Sequence, residues 1–350
     1  MPQKRRPTVV DLHEDISYYY VNHPDDLAFR RDDYAKDLPL RDTDIPKFRR
    51  GNVSLVFSAI FCLAPTVNLT SGRMMARGYG MDDRGYQGSN SAHGASSAAL
   101  DHLKVYYALA EEHSKHIHLV RTAKDLGRAE AGKSIGFLLA LEGAYALEDV
   151  YDLDLFYNMG LRSLGLVWNF DTRYCASCMS KKDYGLTGEG EELVKRCNQL
   201  GVIIDLVHAS RKTHLEVTKL SKLPLMNTHS NAKAVHDISR TLDDEMYEAI
   251  KKNGGVVGSV IEATMVGGKQ DLQSLVDHIM YVHERFGADI TAIGTDYFGL
   301  SRAVTGLEDI SKIGNLFDAL GRRGMSREDI DKLAYKNAMR VIHANAKRWK

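Results

Sequence analysis

With 350 residues, 44% of them hydrophobic, the chain can build a full core without disulfides or a structural metal, so any metal it binds is there for chemistry. Its 46 lysines and arginines offset its 46 aspartates and glutamates. That balance excludes the basic field that would draw nucleic acid or an anionic membrane, and it favours a small polar substrate.

The opening MPQKRRPTVVDLHED is basic, but its apolar run is too short for a secretory leader, and the closing HANAKRWK is no lipid-anchor tail. A cytoplasmic location is expected. The first strand-like run, TVVDLHEDI, spaces Asp11, His13 and Asp15 by two, which an ideal strand puts on one face. The charged stretch after it reads as an insertion over about 23–50. The second run, VSLVFSAIF (53–61), precedes the irregular GYGMDDRGYQGSNSAHG, a second insertion over about 65–95. Either insertion could cover a substrate from the rim. AALDHLKVYYALAEEH then returns to helical spacing.

In HIHLV, His116 and His118 begin their apolar run instead of ending it, which sets them at the stability end of a parallel barrel. Next, GRAEAGKS matches G-x-x-x-x-G-K-[ST] at Gly127, Gly132, Lys133 and Ser134. A phosphate loop needs a strand before it and a helix after it. Here the helix-like TAKDLGRAEAG comes first and the strand-like SIGFLLALE (134–142) second, so the nucleotide reading fails and Gly132 ends a helix. LRSLGLVW (161–168) follows. The CASC pair, Cys175 and Cys178, lacks a second pair to complete a zinc site, so the four cysteines read as reduced thiols.

TGEGEELVKRCNQL and DLQSLVDHIMYVHERF read as helices among the last four runs, GVIIDLVH (201–208), LPLMNTH (223–229), GGVVGSVI (254–261) and TAIGTD (291–296). Alternating strands and helices indicate a parallel α/β sheet. Nine runs are one too many for a (β/α)8 TIM-type barrel, and short IHLV is the expected misfit. One barrel domain over 1–350, with the two rim insertions, is the predicted organisation.

Acids and histidines recur where these runs stop: His13 and Asp15, Glu142, His208, His229 and Asp296. In a parallel barrel those strand ends converge on the catalytic face. Three histidines with the carboxylates of Asp15 and Glu142 exceed one tetrahedral ion with an open position, whereas two ions sharing a carboxylate would use those five. Asp205, on the opposite face from His208 in an ideal strand, reads as structural.

In order along nearly the whole chain, DLHED, ALEG, GLTGEGEELVKRCNQLGVIIDLVHAS and THSNA resemble segments of the membrane dipeptidase (renal dipeptidase) family of zinc peptidases. The resemblance implies a metal-dependent dipeptidase that cleaves dipeptides with a zinc-bound hydroxide at a binuclear site. It implies two Zn²⁺ per chain, with other divalent metals as the alternative, one ion on His13 and Asp15, the other on His208 and His229, with Glu142 bridging. Asp296 would be the catalytic acid, and Arg240, eleven residues past His229, would hold the substrate carboxylate. The partner is then a dipeptide, and a homodimer stays open.

Trp168 stands where many relatives have a histidine, as either an oxyanion donor or a buried aromatic. Phe298 and SVIEA (259–263) also depart from the family pattern and would reshape the side-chain pocket. The rivals are another barrel amidohydrolase acting on a cyclic amide, lactone or phosphoester, and a metal-binding homologue without turnover. Arg240 and the motif order favour the dipeptidase.

Overall fold

The computed structural model describes residues 6–21, 33–39, 41–62 and 92–350. All nine apolar runs form strands: β1 (Val9–Glu14), β2 (Val53–Phe61), β3 (Ile117–Leu119), β4 (Ile135–Glu142), β5 (Leu161–Gly165), β6 (Ile203–Asp205), β7 (Met226–Asn227), β8 (Val256–Ser259) and β9 (Thr291–Ile293). Eight of them lie parallel in the order β1-β2-β4-β5-β6-β7-β8-β9. The ring closes just past β9, where Glu14 pairs with Tyr297. There the Asp15 N–H donates to the Tyr297 carbonyl at 2.8 Å and the Asp296 N–H to the His13 carbonyl at 3.0 Å. The fold is a (β/α)8 barrel of TIM type. The misfit is β3, which pairs with the start of β4 along the edge that β5 occupies from Leu139 onward.

Helix starts follow local capping chemistry. Thr187, Ser210, Asp243 and Asp271 each accept a backbone N–H at the head of the helices Gly188–Leu200, Arg211–Leu220, Asp244–Asn253 and Leu272–Phe286. The helix Ala123–Glu130 ends before Gly132 (φ 65°), and β4 follows, the reverse of a phosphate loop. His118 bonds Ser134 and the Asp125 carbonyl, and His116 faces Arg49, so both stay away from the strand C-termini.

Register defines the barrel interior. Val10, Leu55 and Gly136 align across β1, β2 and β4, as do Ser163 with Ile203 and Met226 with Val256. These positions feed one buried cluster with Leu138, Ala140 and Ala292, joined by Ala338, Met339 and Ile342 of the helix Asn337–Ala346. That helix lies across the strand starts: Asn337 donates to the Thr291 carbonyl and Asn345 to Pro224, and Trp349, just past the helix end, donates to Gly201. The opposite mouth is left for chemistry.

The expected common face of Asp11, His13 and Asp15 does not form. Asp11 pairs with Val56 and Glu14 with Ser58, so β1 carries one extra residue, and this bulge breaks the two-residue period. The Asp11 carboxylate instead accepts the Thr295 N–H at 2.9 Å and the Thr295 hydroxyl at 2.6 Å. It ties β1 to the end of β9. Most of the expected insertion over 65–95 lies outside the described residues. Of the one over 23–50, the described part includes the helix Ile45–Gly51, capped by Asp44. Among the described residues no helix is long and apolar enough to cross a membrane.

Candidate metal centre

The strand ends bring His13, Asp15, Glu142, His208, His229 and Asp296 together at the barrel mouth. Their ligand atoms form three overlapping groups, each within 4.8 Å: His13, Asp15 and Glu142; Glu142, His208 and His229; and His13, His229 and Asp296. Glu142 divides its two oxygens. Oε2 faces His13 Nε2 at 3.6 Å, while Oε1 meets His208 Nε2 at 3.0 Å and His229 Nε2 at 3.6 Å. His13 Nε2 also lies 3.3 Å from Asp15 and 3.9 Å from Asp296.

Two of these residues reach the cluster through uncommon backbone. His208 (φ 62°) and Asp296 (φ 68°) sit in the left-handed region, which costs a non-glycine residue on the order of 1–3 kcal/mol and persists only where surrounding contacts over-determine it. For His208 those contacts come from the CASC loop. The Cys178 N–H donates to the His208 carbonyl at 2.7 Å, and Ser177 bridges to Ala209. All four cysteines are free, and burial pushes the Cys175 thiol up to about 12.

The imidazoles are oriented from behind. His208 Nδ1 meets Asn169 Oδ1 at 2.6 Å, which leaves Nε2 for the cluster when Nδ1 carries the proton. His229 Nδ1 lies 3.1 Å from the Thr228 hydroxyl, which donates to Asp205 at 2.5 Å. Asp205 is thus structural, through Thr228. It pairs with Met226 of the inner cluster, and the ideal alternation that set it apart from His208 ends with β6 itself. Sequence reasoning missed Asn169 and Thr228. Both are polar groups at strand ends, so the criterion that found the acids and histidines would have found them once extended to amides and hydroxyls.

The electrostatics suit a cation. Burial alone would depress the His13 imidazolium, but Glu142 and Asp15 outweigh it and hold its pKa well above the ordinary value. Burial pushes the Glu142 carboxyl up, yet His13 and His208 bring it well below the usual range. Burial and then Arg240 push His208 down to about 3, and burial with His13 keeps His229 neutral. Burial, with Asp15 and Glu142 adding to it, raises Asp296 well above an ordinary carboxyl. Among the described residues, His13 Nε2 and Asp15 Oδ1 are buried without a well-formed hydrogen bond. Converging nitrogen and carboxylate donors, two of them orphaned, fit divalent metal.

A cavity of about 400 Å³ opens over the cluster. Arg240 lines it, half-buried, with one guanidinium nitrogen 3.4 Å from the His229 carbonyl. Trp168 forms another wall, edge-on to Phe61 at 4.8 Å and 5.7 Å from the His208 ring. Glu262, in the divergent SVIEA run, lines the cavity as well. Phe298 does not. It turns away (φ 66°) onto the Tyr19 ring at 5.2 Å.

Known proteins share both sequence and fold with this chain. Dipeptidase verJ of Clonostachys rogersoniana is 25% identical over 342 residues, covering 95% of this chain and 83% of that protein. Dipeptidase ataJ of Aspergillus terreus (strain NIH 2624 / FGSC A1156) is 26% identical over 332 residues, 87% and 77% of the two. A metallopeptidase from Rhodobacter sphaeroides, liganded with a phosphinate mimic of the dipeptide L-Ala-D-Ala, has the same fold. Its TM-score is 0.85 at 23% identity, covering 97% of this chain and 100% of that one. The membrane dipeptidase family, peptidase family M19, matches residues 4–349, and this chain belongs to it.

Proposed function

We propose that the chain hydrolyses dipeptides at a binuclear zinc centre, with His13 and Asp15 on one ion, His208 and His229 on the other, and Glu142 bridging. The observation that carries this reading is the division of the Glu142 oxygens between two histidine-containing groups. When bound, such a pair of divalent ions polarises the scissile carbonyl and supplies a nucleophile at neutral pH by acidifying water.

The residues of the chain do the rest. Asp296 lies within reach of His13 and His229, on the side of both donor sets, where a carboxylate can take a proton from the attacking water and return it to the leaving amine. Arg240 forms paired hydrogen bonds with the free C-terminal carboxylate, which selects dipeptides because a longer chain has no carboxylate at that distance. The Trp168 indole N–H, on the cavity wall, would donate to the oxygen that gains charge.

Two measurements on the purified chain test this: metal stoichiometry, expected at about two ions per chain, and turnover of a mixed dipeptide panel with and without chelator. One ion per chain at saturation removes the bridging role of Glu142. Chelator-insensitive cleavage removes the metal centre from the reaction, and no cleavage of any dipeptide by the metal-loaded chain removes the dipeptidase.

A further inference from the structure

Among the described residues four carboxylates line the cavity over the cluster, and three of them, Asp15, Glu142 and Asp296, belong to the ligand groups. Glu262 belongs to none. Its side chain is buried at 7% exposure. Oε2 accepts the Met265 N–H at 2.9 Å and the Thr264 hydroxyl at 2.5 Å, and Oε1 accepts the Ser301 hydroxyl at 2.5 Å. All three donors are neutral, and among the described residues no lysine, arginine or histidine pairs with it.

Capping the short helix Ala263–Val266 accounts for the Met265 bond only. Serine, threonine, aspartate and asparagine are the side chains preferred for that task. The longer glutamate stem adds a charge to a cavity wall, and a desolvated carboxylate without a counter-ion is costly until a cation arrives. A carboxylate offers about four acceptor sites, so three neutral donors leave room for one more partner.

Arg240 is the one cation among the described lining residues, and the dipeptidase reading assigns it to the substrate's C-terminal carboxylate. The substrate's α-ammonium is attached to the carbon next to the scissile carbonyl, so it stays beside the cluster and Asp296. We infer that Glu262 reads a cationic side chain, a primary ammonium or a guanidinium, carried by one residue of the dipeptide. This rests on the dipeptidase reading above. The specificity arises from the contrast with an uncharged side chain of equal length, which leaves the carboxylate desolvated and unpaired.

The test compares dipeptides carrying lysine or norleucine at either position, on the metal-loaded full chain. At one position kcat/KM is expected to favour lysine by about tenfold or more, and in Glu262→Gln that ratio falls to about one. A wild-type ratio of one or below at both positions overturns the inference, as does a preference that survives in Glu262→Gln. If neither peptide is cleaved, the dipeptidase reading fails separately, and calorimetric titration of the same peptides still decides this one: equal affinity for lysine and norleucine overturns it. Should Glu262→Gln not fold, competition on wild type by n-butylammonium but not by 1-butanol supports the contact, and equal competition overturns it.

Discussion

At the scale of single residues, Glu142 concentrates the consequences of the site. Its carboxylate faces three imidazoles, so under the proposed binuclear reading Glu142→Gln is expected to lower metal content and turnover together, because a neutral amide would bridge two cations poorly. Metal analysis beside a dipeptide assay checks this, and full metal content with lost turnover contradicts it. Arg240→Ala is expected to raise KM about tenfold or more for dipeptides with a free carboxylate, with a much smaller effect on their C-terminal amides. His214 tests burial alone. It is fully buried, neither ring nitrogen has a hydrogen-bond partner among the described residues, and burial depresses it to about 3. The unfolded chain therefore takes up a proton below about pH 6.5 that the folded chain refuses, and stability falls as pH drops from there toward 3. Between pH 6.5 and 5, His214→Leu should gain on wild type by about 2 kcal/mol in chemical denaturation. A constant difference would show that the buried ring titrates normally.

At the scale of elements, several strands are shorter than the apolar runs that predict them, and the physical reason lies at the mouth. GVIIDLVH contributes three residues to β6 before the chain leaves the ladder and turns at His208, and TAIGTD contributes three to β9 before Asp296. Apolar runs record burial, and burial continues through these turns, so sequence marks where the strands begin better than where pairing stops. The turn after β9 also explains Gly299. A Cβ there would stand 2.3 Å from an Asp15 oxygen and 2.6 Å from an Asp296 oxygen. Gly299→Ala is expected to cut metal affinity and kcat by about tenfold or more, while the thermal midpoint of the metal-free chain moves by no more than about 2 °C. A variant that loses neither metal nor activity would show that the two carboxylates move freely.

At the scale of the whole molecule, barrel and site are separable in energy. The interior is filled by apolar side chains from the strands and closed by the C-terminal helix, so the fold is expected to form without metal. Chelation is expected to lower the thermal midpoint while leaving the far-ultraviolet circular dichroism intact. The loss follows the ligand term, about 4 kcal/mol for ions present at a thousand times their dissociation constant. Loss of secondary structure on chelation would make the metal structural. The sequence by itself determined the barrel, the exclusion of β3 and the meeting of His13, Asp15, Glu142, His208 and His229, because strand ends in a parallel barrel share one face whatever the loops do. Only the tertiary structure decided that Asp11 closes the ring instead of joining the cluster, that Asn169 and Thr228 aim the imidazoles, and that Glu262 reaches the cavity while Phe298 turns from it. Those outcomes depend on a bulge, on left-handed turns and on pairings between distant loops, none of which leaves a periodic trace in the chain.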